Sequence, residues 1–134
     1  MDFQLPSKGG VPTPRVVHFE INADNPKRAI DFYTKVFGWK IQQWEGPLEY
    51  WLISTGEKDE PGIDGAITKR QYHDVTTVNT ISVPSIDKFV EKIATHGGRI
   101  VTEKTTIPGI GYFCYCQDTE GNTFGIIEED TSAQ

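Results

Sequence analysis

The chain repeats itself at an offset of 60 residues. Ile21 matches Ile81, Pro26 matches Ile86, Ile30 matches Val90, Tyr33 matches Ile93, Gly38 matches Gly98, Ile41 matches Val101 and Gly65 matches Gly125. Each copy reads in the same order: a strand, a helix, then three strands. An ordered set of matches constrains the fold far more than composition does. A strand–helix unit hides one sheet face under its helix and leaves the other for a second use. The expected fold class is therefore α+β, two tandem βαβββ modules forming a curved mixed β-sheet cup with the helices outside. Module one covers residues 15–70 and module two residues 77–129, inside a single domain over 15–134. Residues 69–76 link them and hold Tyr72 and His73. Residues 1–14, rich in proline and glycine, read as an extended N-terminal arm.

Within module one, residues 15–22 alternate: Val17, Phe19 and Ile21 on one face, Val16, His18, Glu20 and Asn22 on the other. Asp24 or Asn25 can cap a helix that has Pro26 in its first turn. Ala29, Ile30, Tyr33, Val36 and Phe37 follow at helical spacing, with Phe32 beside them, and Gly38 stops the helix. Strands are expected at 40–44, 49–54 and 63–68. In module two a strand at 78–83 places Asn79, Ile81 and Val83 on one face. Pro84 and Ser85 open a helix, Gly97 and Gly98 close it, and strands are expected at 99–103, 111–117 and 123–128.

Thirteen basic residues against nineteen acidic ones give a net charge of −6. No basic surface for nucleic acid is visible in that balance, and the sign disfavours anionic membranes. No apolar run approaches the roughly 20 residues of a membrane helix. Cytoplasmic residence is the expectation. Cys114 and Cys116 stand two apart in a strand, so both point to one face, too far apart for an easy disulfide, and read as buried free thiols.

The face opposite the helices carries His18 and Glu20 in module one and Thr80 and Ser82 in module two. A curved sheet with such an inner face suits a small-molecule ligand. His18, with Glu20 beside it, is the weak candidate for acid–base work. Gly65 and Gly125 would leave room for a ligand against the backbone. Alternation separates Tyr50 from Trp51, and Tyr112 from Phe113 and Tyr115, without saying which set turns inward; Trp51 and Tyr112 are the candidate cavity aromatics.

These residues resemble a known family, the vicinal oxygen chelate superfamily of glyoxalases, bleomycin-resistance proteins and extradiol dioxygenases. The carriers are Val17-His18-Phe19, the run Ala29-Ile30-Asp31-Phe32-Tyr33 through Phe37-Gly38-Trp39, residues 93–98, and Asp118-Thr119-Glu120-Gly121-Asn122-Thr123-Phe124. The resemblance implies one divalent metal held by His, Gln or Glu from the first and last strands of each module, polarising substrate oxygens. Carried over one at a time, those positions are His18, Val78, Gly65 and Gly125. His18 is the one family-position match; valine and glycine supply no ligand.

The expected function is therefore small-molecule binding without the complete divalent-metal site and with no other cofactor. One alternative is a metal-dependent lyase, isomerase or dioxygenase of glyoxalase type using His18. Another is a dimeric interaction module without catalysis. A homodimer is expected to be possible in any of these, and neither nucleic acid nor membrane is an expected partner.

Overall fold

A computed structural model describes residues 13–46 and 48–134. The expected arm lies outside the described residues except for its last two positions, Thr13 and Pro14, which are exposed. The described chain divides into two compact units, residues 18–78 and residues 79–134, the second also taking in residues 13–17. Among the described residues no helix is long and apolar enough to cross a membrane.

The first unit is built from β1 (Arg15–Ala23), α1 (Pro26–Phe37), β2 (Lys40–Gln43), β3 (Tyr50–Ser54) and β4 (Gly65–Lys69). Its strands lie in the order β2-β3-β4-β1. β1 and β4 run parallel, and the other neighbours antiparallel. Pro26 opens α1, where a missing backbone N–H costs nothing. The Asn25 side chain accepts from the Arg28 N–H at 3.1 Å. Gly38 closes the helix at φ +71°, a conformation that L side chains rarely adopt, and donates its N–H to the Thr34 carbonyl at 2.9 Å. Phe19 and Ile21 of β1 pack with Ile53, Ile67, Ala29, Ile30 and Tyr33 between sheet and helix.

The second unit follows the same plan with β5 (Thr77–Ser82), α2 (Ile86–Thr95), β6 (Arg99–Ile100), β7 (Thr105–Ile107), β8 (Gly111–Gln117) and β9 (Thr123–Glu129). Its strand order is β5-β9-β8-β6, with β7 also paired to β8. Ser85 caps α2 by accepting from the Lys88 N–H at 3.3 Å. The Ile86 N–H, which Pro26 lacks in the first unit, is taken by Glu128 Oε1 of β9 at 2.9 Å. Val83, Ile86, Cys114, Cys116 and Ile126 form the core beneath the helix. The two thiols are free and buried, with sulfurs 3.8 Å apart.

One expected strand is broken. The 99–103 strand stops at Ile100, because the N–H groups of Val101 and Thr102 both donate to the Tyr115 carbonyl, at 2.8 and 3.2 Å. Two residues facing one is the signature of a bulge. The chain leaves the ladder there and returns as β7, opposite Gly111–Phe113. Alternation is lost across such a bulge, so the separate strand was not legible in the sequence.

Candidate functional site

β1 alternates as the sequence implies. Phe19 and Ile21 enter the α1 core, so His18 and Glu20 point from the opposite face. Both are buried, at 4% and 6% exposure. Buried polar groups need partners, and Tyr50 of β3 supplies one to each. The Tyr50 hydroxyl donates to Glu20 Oε2 at 3.0 Å and lies 3.0 Å from His18 Nε2. A phenol has one proton. With that proton directed at Glu20, the phenol oxygen accepts from His18, which places the imidazole proton on Nε2. Burial lowers the His18 pKa from its ordinary 6.5 to about 4, so the ring is neutral at physiological pH. The resulting chain, imidazole to phenol to carboxylate, is a short hydrogen-bond relay on the first unit's helix-free face.

Tyr50 is the residue that sequence reasoning did not single out. Trp51 and Ile53 sit on one face of β3 and pair with Ile67 and Gly65; Tyr50 pairs with Thr68 and Leu52 with Ala66 on the other. Alternation sets Tyr50 opposite Trp51 and Ile53, and the structure supplies the direction. Ile53 is fully buried in the α1 core and carries Trp51 with it, leaving Tyr50 on the His18 face.

The same register corrects three expected cavity residues. Trp51 is not on the His18 face but packs against the α1 core. Tyr112 belongs to the α2 side, against Val83, Cys114 and Ile126, with the Lys104 ammonium 5.2 Å from its ring centre. Gly65 also faces a helix. A Cβ there would meet the Phe19 carbonyl oxygen at 2.5 Å and the Phe19 ring at 2.7 Å. The reason is a one-residue slip in the repeat. Phe19 pairs with Gly65, whereas its counterpart Asn79 pairs with Phe124. The offset is thus 60 in the first strand of each unit and 59 in the last. Gly65 corresponds to Phe124, and Gly125 corresponds to Ala66.

In the second unit Thr80 and Ser82 point away from α2 and are buried, at 1% and 2% exposure. Gly125 pairs with Thr80 and Tyr115 and shares their face. Its missing side chain is occupied space: a Cβ would stand 2.5 Å from the Phe113 ring and 3.3 Å from Thr80 Oγ1. Phe113 and Tyr115 meet edge to face at 4.7 Å. Thr80 Oγ1 is buried and finds no hydrogen-bond partner among the described residues.

The residues do not fit the divalent metal that the resemblance implies. Val78, Ala66 (the residue in place of Gly65) and Gly125 have no donor atom in their side chains, and His18 Nε2 is engaged by Tyr50. Among the described residues no three of His, Cys, Asp or Glu converge. His18 with Glu20 leaves a set short of the three protein ligands of a typical catalytic zinc.

Residues 15–126 match the family model described as the Glyoxalase/Bleomycin resistance protein/Dioxygenase superfamily. A lactoylglutathione lyase of Escherichia coli is 26% identical over 125 residues, covering 86% of this chain and 93% of that protein. Among solved structures, a hypothetical protein from Bacillus halodurans superposes with a TM-score of 0.67 at 13% identity, over 91% of this chain and 99% of that one. A variant of the Streptomyces coelicolor methylmalonyl-CoA epimerase in complex with 2-nitronate-propionyl-CoA superposes with a TM-score of 0.65 at 11% identity, over 90% and 97%. These two likenesses are of fold.

Proposed function

The chain belongs to the glyoxalase/bleomycin resistance protein/dioxygenase superfamily, and on that premise we propose that it binds a small molecule without the family's divalent metal. The observation that carries this reading is the engagement of the one family-position histidine in a protein hydrogen bond. His18 gives its Nε2 proton to Tyr50, and Tyr50 gives its own to Glu20. The replacement of the other donors by Val78, Ala66 and Gly125 supports it further. The ligand is met on the His18 face by a neutral imidazole, a phenol and a carboxyl group, which suits a compact polar molecule able both to donate and to accept.

The test is metal content and metal response together. Protein purified without added metal and dialysed against chelator is analysed for elements, then melted with nickel, zinc, cobalt, iron or manganese. The expected result is substoichiometric metal and no rise in Tm. One tightly held metal per chain, with a Tm that rises and saturates at one equivalent, overturns the reading.

A second reading draws on the relay itself. A buried neutral imidazole joined through a phenol to a carboxylate is suited to moving a proton without a Lewis acid, as in a lyase or isomerase step next to a carbonyl. Exchange of substrate-carbon hydrogen for deuterium, lost in Tyr50→Phe and retained in chelator, is the result that favours catalysis over binding alone.

A further inference from the structure

Where β1 runs into α1, on the first unit, an open groove of about 370 Å³ is lined by Ile21, Ala29, Phe32, Tyr33, Arg28 and Arg70 among others. Ile21 and Ala29 belong to the core beneath α1, and His18, Glu20 and Tyr50 are not among the residues that line the groove. The internal repeat supplies a control for why it exists. At the 60-residue offset Ala29 corresponds to Phe89 and Phe32 to Lys92. In the second unit the Phe89 ring packs on the core, and the Lys92 ammonium lies over that ring at 5.1 Å from its centre. A benzyl group thus fills that space and a cation covers it. In the first unit a methyl group stands where the benzyl would be, and an aromatic ring stands where the cation would be. Phe32 is left 54% exposed, with its edge against Tyr33 at 5.1 Å. The fold does not require a small residue and an exposed ring here, because its second unit carries Phe89 and Lys92 at the equivalent positions.

The polar wall is organised too. Arg70 is fixed by Nε to Asp24 Oδ1 at 2.9 Å and by Nη1 to the Val75 carbonyl at 2.7 Å. Asp24 balances the Arg70 charge, whereas Arg28 forms no ion pair among the described residues. The groove therefore carries one positive charge in excess on a chain of net charge −6. Its volume sits at the low end of ligand pockets, enough for a single ring system. We propose that this groove binds a small aromatic carboxylate, its ring against Ala29, Phe32 and Tyr33 and its carboxylate on Arg28 and Arg70. Guanidinium groups match planar carboxylates by two parallel hydrogen bonds, and aromatic walls suit flat bodies.

The test is a titration of the full ¹⁵N-labelled chain by NMR with phenylacetate, with benzyl alcohol and inorganic phosphate as separate probes. Phenylacetate is expected to give saturable shifts at residues 21–33 and at Arg70, and neither of the other two to saturate. Arg28→Glu is expected to weaken phenylacetate about tenfold or more, as loss of a charge-assisted contact does. Ala29→Phe copies the second unit and is expected to abolish saturation while the spectrum of residues 79–134 stays unchanged. If Ala29→Phe does not fold, Arg28→Glu alone decides. The proposal is overturned by shifts that never saturate, by unaltered affinity in the variants, by phosphate binding as tightly as phenylacetate, or by concentration-dependent shifts at Phe32 without ligand, which would mean that a second copy covers the groove. Shifts confined to His18, Glu20 and Tyr50 also overturn it, without touching the metal-free reading of that face.

Discussion

Burial gives His18 a pH dependence of stability. Unfolded, its imidazole takes up a proton near 6.5; buried, only near 4. Between those values the unfolded chain binds more protons, so stability rises with pH across the window and is lost as pH falls from about 6.5 to 4. The difference is worth about 3 kcal/mol. In His18→Gln that part of the pH profile is expected to flatten, read from urea midpoints at pH 7 and pH 4.5 in both proteins. Tyr50→Phe removes one hydroxyl, and with it the hydrogen bonds to His18 and Glu20, while keeping the ring, and is expected to cost about 1–3 kcal/mol in the same assay. Gly125→Ala pushes a methyl group into Phe113, with an expected cost of about 1–3 kcal/mol by chemical denaturation. The placement of His18, Glu20, Thr80 and Ser82 away from the helices was legible because β1 and β5 alternate cleanly. The choice between Tyr50 and Trp51 was not, since both are large aromatics and periodicity alone carries no absolute direction.

The elements themselves were legible wherever caps and glycines punctuate the chain. Asn25 with Pro26 starts α1, Gly38 ends it, and Ser85 starts α2, as the sequence implies. What local signals could not convey was a cap delivered from a distance. Glu128 reaches the first N–H of α2 from β9, 42 residues away. α2 therefore has two side-chain caps, and α1 has one cap and a proline. Ser85→Ala and Asn25→Ala are each expected to lower stability by about 1 kcal/mol. Glu128→Ala is expected to lower it by a comparable amount, since it too orphans a helix N–H; a double variant with Ser85→Ala measures their coupling. The bulge at Val101 and Thr102 escaped for a similar reason, as it depends on a carbonyl of β8.

The partition between the two units falls inside β1, at Val17 and His18, and inside β5, at Val78 and Asn79. Each boundary therefore cuts a continuous strand. All three tryptophans lie in the first unit and both cysteines in the second. Tryptophan fluorescence and thiol labelling are therefore expected to report one coincident urea transition, and midpoints that differ beyond error would refute a single cooperative block. The repeat was legible from seven matched positions, but its last strand was misplaced by one residue, because a constant offset assumes connectors of equal length. That unequal connector limits how the halves can be shuffled. Exchanging the two terminal strands on the 60-residue alignment would bring Phe124 into the slot of Asp64 and turn each transplanted face inside out. A chimaera cut one residue earlier keeps every side chain on its native side, so the seam for recombining these halves lies one position away from where their sequences suggest.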